Sequence, residues 1–124
     1  MTNILTGDIS KLALENTNYR KVISTTKHQQ LVLMSLKPKE EIGMEVHHKI
    51  DQYFRIEKGN AIALIGLGDK QKKYKLKKEY FLIVPAGTYH NIINTGSSYL
   101  KLYSIYSPPQ HKPGTIHKTK PKND

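Results

Sequence analysis

The chain contains no cysteine. Disulfides, thiolate metal sites and cysteine nucleophiles are excluded together, and the redox compartment cannot be read. A metal site would have to be built from His, Glu, Asp or Gln. Arginine is scarce as well: of the 20 basic residues only Arg20 and Arg55 are arginine, and the rest are lysine. Base-reading surfaces favour arginine, whose planar fork matches guanine and phosphate. The formal charge of +10 is therefore read as a field that draws in anionic ligands, and nucleic acid is disfavoured as the main partner. No apolar run approaches the length of a membrane-spanning helix. The stretch Met1–Asp8 lacks the basic and apolar regions of a signal peptide. A cytoplasmic protein without membrane association is expected.

What is present is a chain of 124 residues, long enough for one domain with a modest core. Residues 1–124 are read as one domain, with a barrel at about 19–107 and an extended basic tail at 108–124. The N-terminal segment is polar, and Asp8–Leu14 has the pattern of a short helical turn capped by Asp8 or Ser10. From Tyr19 on, short β-branched and aromatic runs alternate with turns. Strands are predicted at Tyr19–Thr25, Gln30–Leu36, Met44–His48, Gln52–Glu57, Asn60–Ile65, Lys72–Leu76, Tyr80–Val84, His90–Asn94 and Tyr99–Tyr106. Many short strands with regular turn signals predict an all-β sandwich or barrel. The lysines of 70–78 read as a solvated edge hairpin, because lysine on an edge blunts edge-to-edge pairing.

Two of the six histidines are adjacent, at His47 and His48. Neighbours on a strand point to opposite faces, so the pair cannot chelate one ion. In an extended 44–48, Glu45 and His47 share one face, and His48 takes the other. On the next strand Gln52, Phe54 and Ile56 form the more apolar, core-facing set, while Arg55 and Glu57 face solvent or a partner subunit. Glu45, His47 and Gln52 would converge inside, where such groups are costly unless paired or bound to a cation. His90 follows the tight Pro85–Gly87 entry and is the fourth candidate donor. These side chains can form a divalent-metal site. On the last strand Leu100, Leu102, Ser104 and Tyr106 face inward and Lys101 points away. Tyr106, ahead of Tyr89 and Tyr103, is the candidate catalytic donor of a proton or hydrogen bond.

The two stretches resemble the two motifs of the cupin family. Pro85, Gly87, His90 and Asn94 stand at P-x-G-x-x-H-x-x-x-N. Glu45, His47, Gln52 and Gly59 stand where the first motif reads H-x-H-x(3,4)-E-x(6)-G, so a glutamate replaces one histidine and Gln52 replaces the usual glutamate. The resemblance covers nearly the whole chain from about Glu15, the tail segment PPQHKPGTIHKTK included, and is to small single-domain cupins of the mannose-6-phosphate isomerase-like type. Members often have glycine where Lys39 follows Pro38.

The resemblance implies a double-stranded β-helix, the cupin jelly-roll barrel, that pairs as a homodimer. It implies metal ligands Glu45, His47, Gln52 and His90. Two imidazoles among oxygen donors shift preference from copper toward Mn, Fe, Ni or Zn. The implied function is metal-dependent chemistry on a small polar molecule, neutral or anionic, such as a sugar or sugar phosphate, of isomerase type. The alternatives are an iron-dependent dioxygenase, a non-catalytic small-ligand module and, behind these, a polyanion binder. By composition the tail is a solvated end in which His111 and His117 do nothing catalytic. By resemblance it is ordered against the barrel or a second subunit.

Overall fold

Residues 4–122 are described by the structure, a computed structural model. The chain opens with a short helix, α1 (Ile9–Glu15), whose N-cap Asp8 accepts a hydrogen bond from the Lys11 amide at 3.1 Å. Nine strands follow: β1 (Arg20–Thr25), β2 (Gln30–Leu36), β3 (Asp51–Lys58), β4 (Asn60–Ile65), β5 (Lys72–Lys77), β6 (Phe81–Val84), β7 (His90–Asn94), β8 (Leu100–Ser107) and β9 (Ile116–His117). They form two antiparallel sheets, one in the order β6-β3-β8-β2-β1-β9 and the other β5-β4-β7. This is the mostly β architecture expected from the short alternating runs.

Strand alternation sets the core. In β8 the inward residues Leu100, Leu102, Ser104 and Tyr106 are all buried, and in β3 Gln52, Phe54 and Ile56 are buried. They meet Ala61, Ala63, Leu76 and Ile92 of the smaller sheet. Most of this packing energy is apolar area removed from water. Asn94 is the polar exception at the end of β7. Its amide nitrogen donates to Leu36 O (3.0 Å) and Ser98 O (2.9 Å), and its carbonyl accepts from Gly96 N (2.9 Å). One side chain thereby closes the β7–β8 turn and ties it to β2.

The outer face of the larger sheet departs from the expectation. Glu57 was assigned to solvent or a partner, yet it is 3 % exposed. Helix α1 covers this face, packing Ala13 on Leu33 and Tyr103. Ser10 Oγ donates to Glu57 Oε1 at 2.8 Å, and Arg55 Nε lies 3.2 Å from Glu57 Oε2. Lys101 points outward as expected but is buried beneath the same helix, its ammonium bonded to Asn16 O and to Ser35 Oγ (2.9 Å).

The described part of the tail, residues 108–122, runs along the barrel. β9 pairs with β1, Val22 N donates to Thr115 O at 2.8 Å, and Arg20 Nη1 donates to His117 Nδ1 at 2.9 Å. Among the described residues no helix is long and apolar enough to cross a membrane.

Candidate metal centre

The segment after β2 carries Glu45 and His47. It is not the regular strand expected over Met44–His48. It meets β7 at two isolated bridges, Glu41 to Ile93 and Glu45 to His90, and turns away at His48 and Lys49. The cause is Gly43, which sits at φ 99° between the bridges, in a region that favours glycine. Its amide is taken by the Asn91 side chain at 2.8 Å instead of a strand partner. Pairing resumes at Glu45, so the inward face expected for Glu45 and His47 survives. His48 is exposed, as expected.

Glu45 Oε1 lies 3.2 Å from His47 Nε2 and 3.2 Å from His90 Nε2. One ligand atom from each of Glu45, His47 and His90 falls within 4.8 Å of the others. The β6–β7 loop aims His90. Asp51 Oδ1 accepts from Ala86 N (2.9 Å), and Gly87 N donates to His47 O (2.8 Å). The His90 ring is then pinned by Nδ1 at 2.9 Å from Thr88 O. A carbonyl can only accept, so Nδ1 carries a proton, and in the neutral ring Nε2 then presents its lone pair toward Glu45. Two acceptors at 3.2 Å need a proton or a cation between them.

Burial opposes the Glu45 charge, but hydrogen bonds and attraction from His47 and then His90 outweigh it and hold the carboxyl down to about 2. The side chains of His90, His47 and Glu45 are 1 %, 11 % and 30 % exposed. The cluster therefore opens to solvent on the Glu45 side.

Gln52 lies in the wall from β3. Its Nε2 donates to Ser104 Oγ at 2.8 Å, while its buried Oε1 has no hydrogen-bond partner among the described residues. A buried carbonyl oxygen without a donor is expensive, and a metal ion would satisfy it. Tyr106 stands directly opposite Gln52 in the β3–β8 register. Its ring meets His47 edge-on, 5.8 Å between centroids, and burial, then the Glu45 charge, push its hydroxyl above the ordinary tyrosine range. Phe54 packs edge-on against His90 at 6.0 Å. The other tyrosines considered lie elsewhere: Tyr103 is on the outer face under α1, and Tyr89 is exposed.

One neighbour escaped the sequence reading. His111, set aside as idle, lies on Tyr106 with ring centroids 5.2 Å apart and its Nε2 3.3 Å from the Tyr106 hydroxyl. Gln30, fully buried, holds it there. Gln30 Oε1 accepts from His111 N (2.9 Å) and Gln110 N (3.2 Å), and its Nε2 donates to His111 O (2.7 Å). The sole signal for this contact was that the family resemblance continues through the tail.

Comparison with known proteins identifies the fold family. The family model described as a cupin domain matches residues 32–106. An uncharacterized protein of Acanthamoeba polyphaga mimivirus is 51 % identical over 117 residues, 94 % of this chain and 72 % of that one. The uncharacterized protein YrkC of Bacillus subtilis is 44 % identical over 115 residues, 91 % of this chain but only 62 % of its own length, so this chain spans less than two thirds of that relative. A crystal structure from Bacillus halodurans superimposes with a TM-score of 0.91 at 38 % identity, covering 94 % of this chain and 89 % of that one. Both motif stretches fall inside the matched segment, and Glu45 and His47 of the first meet His90 of the second; the chain belongs to the cupin family.

Proposed function

We propose that Glu45, His47, Gln52 and His90 hold a divalent first-row metal ion, and that the protein is a metal-dependent enzyme isomerising a small polar molecule such as a sugar or sugar phosphate. The observation that carries the metal reading is the His90–Glu45 contact. With its Nδ1 held by Thr88 O, the neutral His90 ring turns an Nε2 lone pair toward a carboxylate oxygen at 3.2 Å. A cation between them turns two opposed lone pairs into two ligands. The orphaned Gln52 Oε1 adds a third kind of donor. Two imidazoles, a carboxylate and an amide oxygen suit Mn, Fe, Ni or Zn better than copper.

When bound, such an ion supplies Lewis acidity to a carbonyl or hydroxyl oxygen. The protein's own groups do the rest. The open flank at Glu45 admits the ligand, and Tyr106 stays a neutral phenol able to donate a hydrogen bond or a proton. The surplus of positive charge raises the local concentration of a phosphorylated substrate.

Elemental analysis of the purified, metal-reconstituted protein tests the site. Stoichiometric metal is expected in the wild type and in His48→Ala, and loss in His47→Ala and His90→Ala. A wild type that holds no metal overturns the reading. A screen of sugar phosphates with oxygen monitored tests the chemistry. Oxygen uptake by the iron-loaded protein would reassign it as a dioxygenase, and ligand binding without turnover as a binding module.

A further inference from the structure

Gln52 raises a question that a carboxylate in its place would not. The two oxygens of a carboxylate are equivalent. An amide offers a cation one good donor atom, and rotating it by half a turn puts the NH2 group there instead. Something must fix the orientation. Ser104 Oγ accepts from Gln52 Nε2, but a hydroxyl can donate as readily as accept, so Ser104 would bond either end. Tyr106, directly opposite Gln52 across β3 and β8, has the same ambivalence.

His111 removes it. Its Nε2 is 3.3 Å from the Tyr106 hydroxyl. With that nitrogen accepting the phenolic proton, the Tyr106 oxygen has only lone pairs left for Gln52. It can then bond the NH2 end of the amide and not the carbonyl end. The directional chain this requires runs from Gln52 Nε2–H to Tyr106 O–H to His111 Nε2. The chain is anchored by Gln30, whose amide grips the backbone of Gln110 and His111 from the buried end of β2.

We propose that His111, delivered by the C-terminal segment, is a positioning residue for the metal site: through Tyr106 it sets the orientation in which the Gln52 amide presents Oε1 to the ion. This rests on the metal reading above. It assigns the tail a role in coordination that the composition of the segment does not suggest.

The test is cobalt(II) affinity, by calorimetry and the visible absorption of the bound ion, in a double-mutant cycle. In the wild-type background His111→Phe keeps an aromatic ring but removes the acceptor. Affinity should fall by about tenfold, the lower range for loss of a group that orients a ligand. In the Gln52→Glu background either carboxylate oxygen can serve, and His111→Phe should leave affinity unchanged. Tyr106→Phe, which removes the hydroxyl alone, should behave as His111→Phe in both backgrounds, and it carries the test if His111→Phe does not fold. Wild-type affinity in the single variants overturns the proposal, and so does an equal loss in both backgrounds, which would mean general loosening. A wild type that takes up no cobalt overturns the metal site itself.

Discussion

Glu45 and His90 are joined twice. Their backbones exchange two hydrogen bonds of 2.9 Å, Glu45 N to His90 O and His90 N to Glu45 O, and their side chains meet again with Oε1 3.2 Å from Nε2. The backbone bridge fixes where the carboxylate can be, independently of its charge. Substitution of either side chain should therefore change the chemistry of the cluster more than its shape.

The charge of Glu45 has a defined pH window. In the metal-free protein its carboxyl is lowered from 4.5 to about 2, because the imidazoles of His47 and His90 outweigh the opposing effect of burial. A folded value below the unfolded one means stabilisation that is complete above 4.5 and lost as the pH falls toward 2. Melting temperatures of the metal-free wild type and Glu45→Gln should thus differ above 4.5, converge below it and coincide only once the pH has fallen through about 2. A difference that stays constant through that interval would contradict the assignment.

Asn94 makes three hydrogen bonds, to Leu36 O, Ser98 O and Gly96 N. Asn94→Ala leaves these backbone groups without their partner, in a setting where an unmade hydrogen bond costs about 1–3 kcal/mol. We expect a loss of about 3 kcal/mol in denaturant unfolding, with metal stoichiometry retained by the fraction that stays folded.

Two turns carry opposite errors of side chain. Gly59 has φ 100°, and a Cβ there would come within 3.3 Å of Leu100 Cα and Tyr99 O. Gly59→Ala should cost about 3 kcal/mol, the roughly 1–2 kcal/mol of a left-handed residue plus the crowding. Lys39 sits at φ 71°, the position where resembling proteins often have glycine. Lys39→Gly should stabilise by up to about 1 kcal/mol, since relief of the left-handed conformation exceeds the added entropy of the unfolded chain. Chemical denaturation of both variants gives the two signs.

The tail should exchange slowly because Gln30 holds it. Gln30 is fully buried and spends its side chain on Thr25, Gln110 and His111. Amide hydrogen exchange should show protection at His111 and at the β1–β9 pairing in the wild type, with His111 losing it in Gln30→Leu. Uniformly fast exchange after Pro109 in the wild type would show that the segment is not docked.

Alternation made most of the fold legible. Gln30–Leu36, Asn60–Ile65 and His90–Asn94 were read with their observed bounds, because each is a short apolar run flanked by turn residues. Met44–His48 was misread as a strand because periodicity cannot see that Gly43 breaks the ladder into single bridges. The burial of Glu57 and Lys101 was invisible for a different reason. Strand pattern says which face a residue takes, and nothing about α1 lying over that face. At the site, Glu45, His47 and His90 were found through spacing and resemblance, and the structure brings them together. His111 was missed because its contact depends on Gln30, 81 residues away, and a polar proline-bearing segment has no periodicity from which docking could be inferred.

The four candidate donors come from three places: the segment before β3, the six-stranded sheet and the three-stranded sheet. An ion shared among them would be a cross-link between the two sheets, made and broken by mass action. Its stabilisation would follow the free metal concentration, about 2.7 kcal/mol at a hundredfold excess over Kd. The resistance of this barrel to heat would then report the supply of metal around it, so that the folded population itself becomes a gauge of the ion.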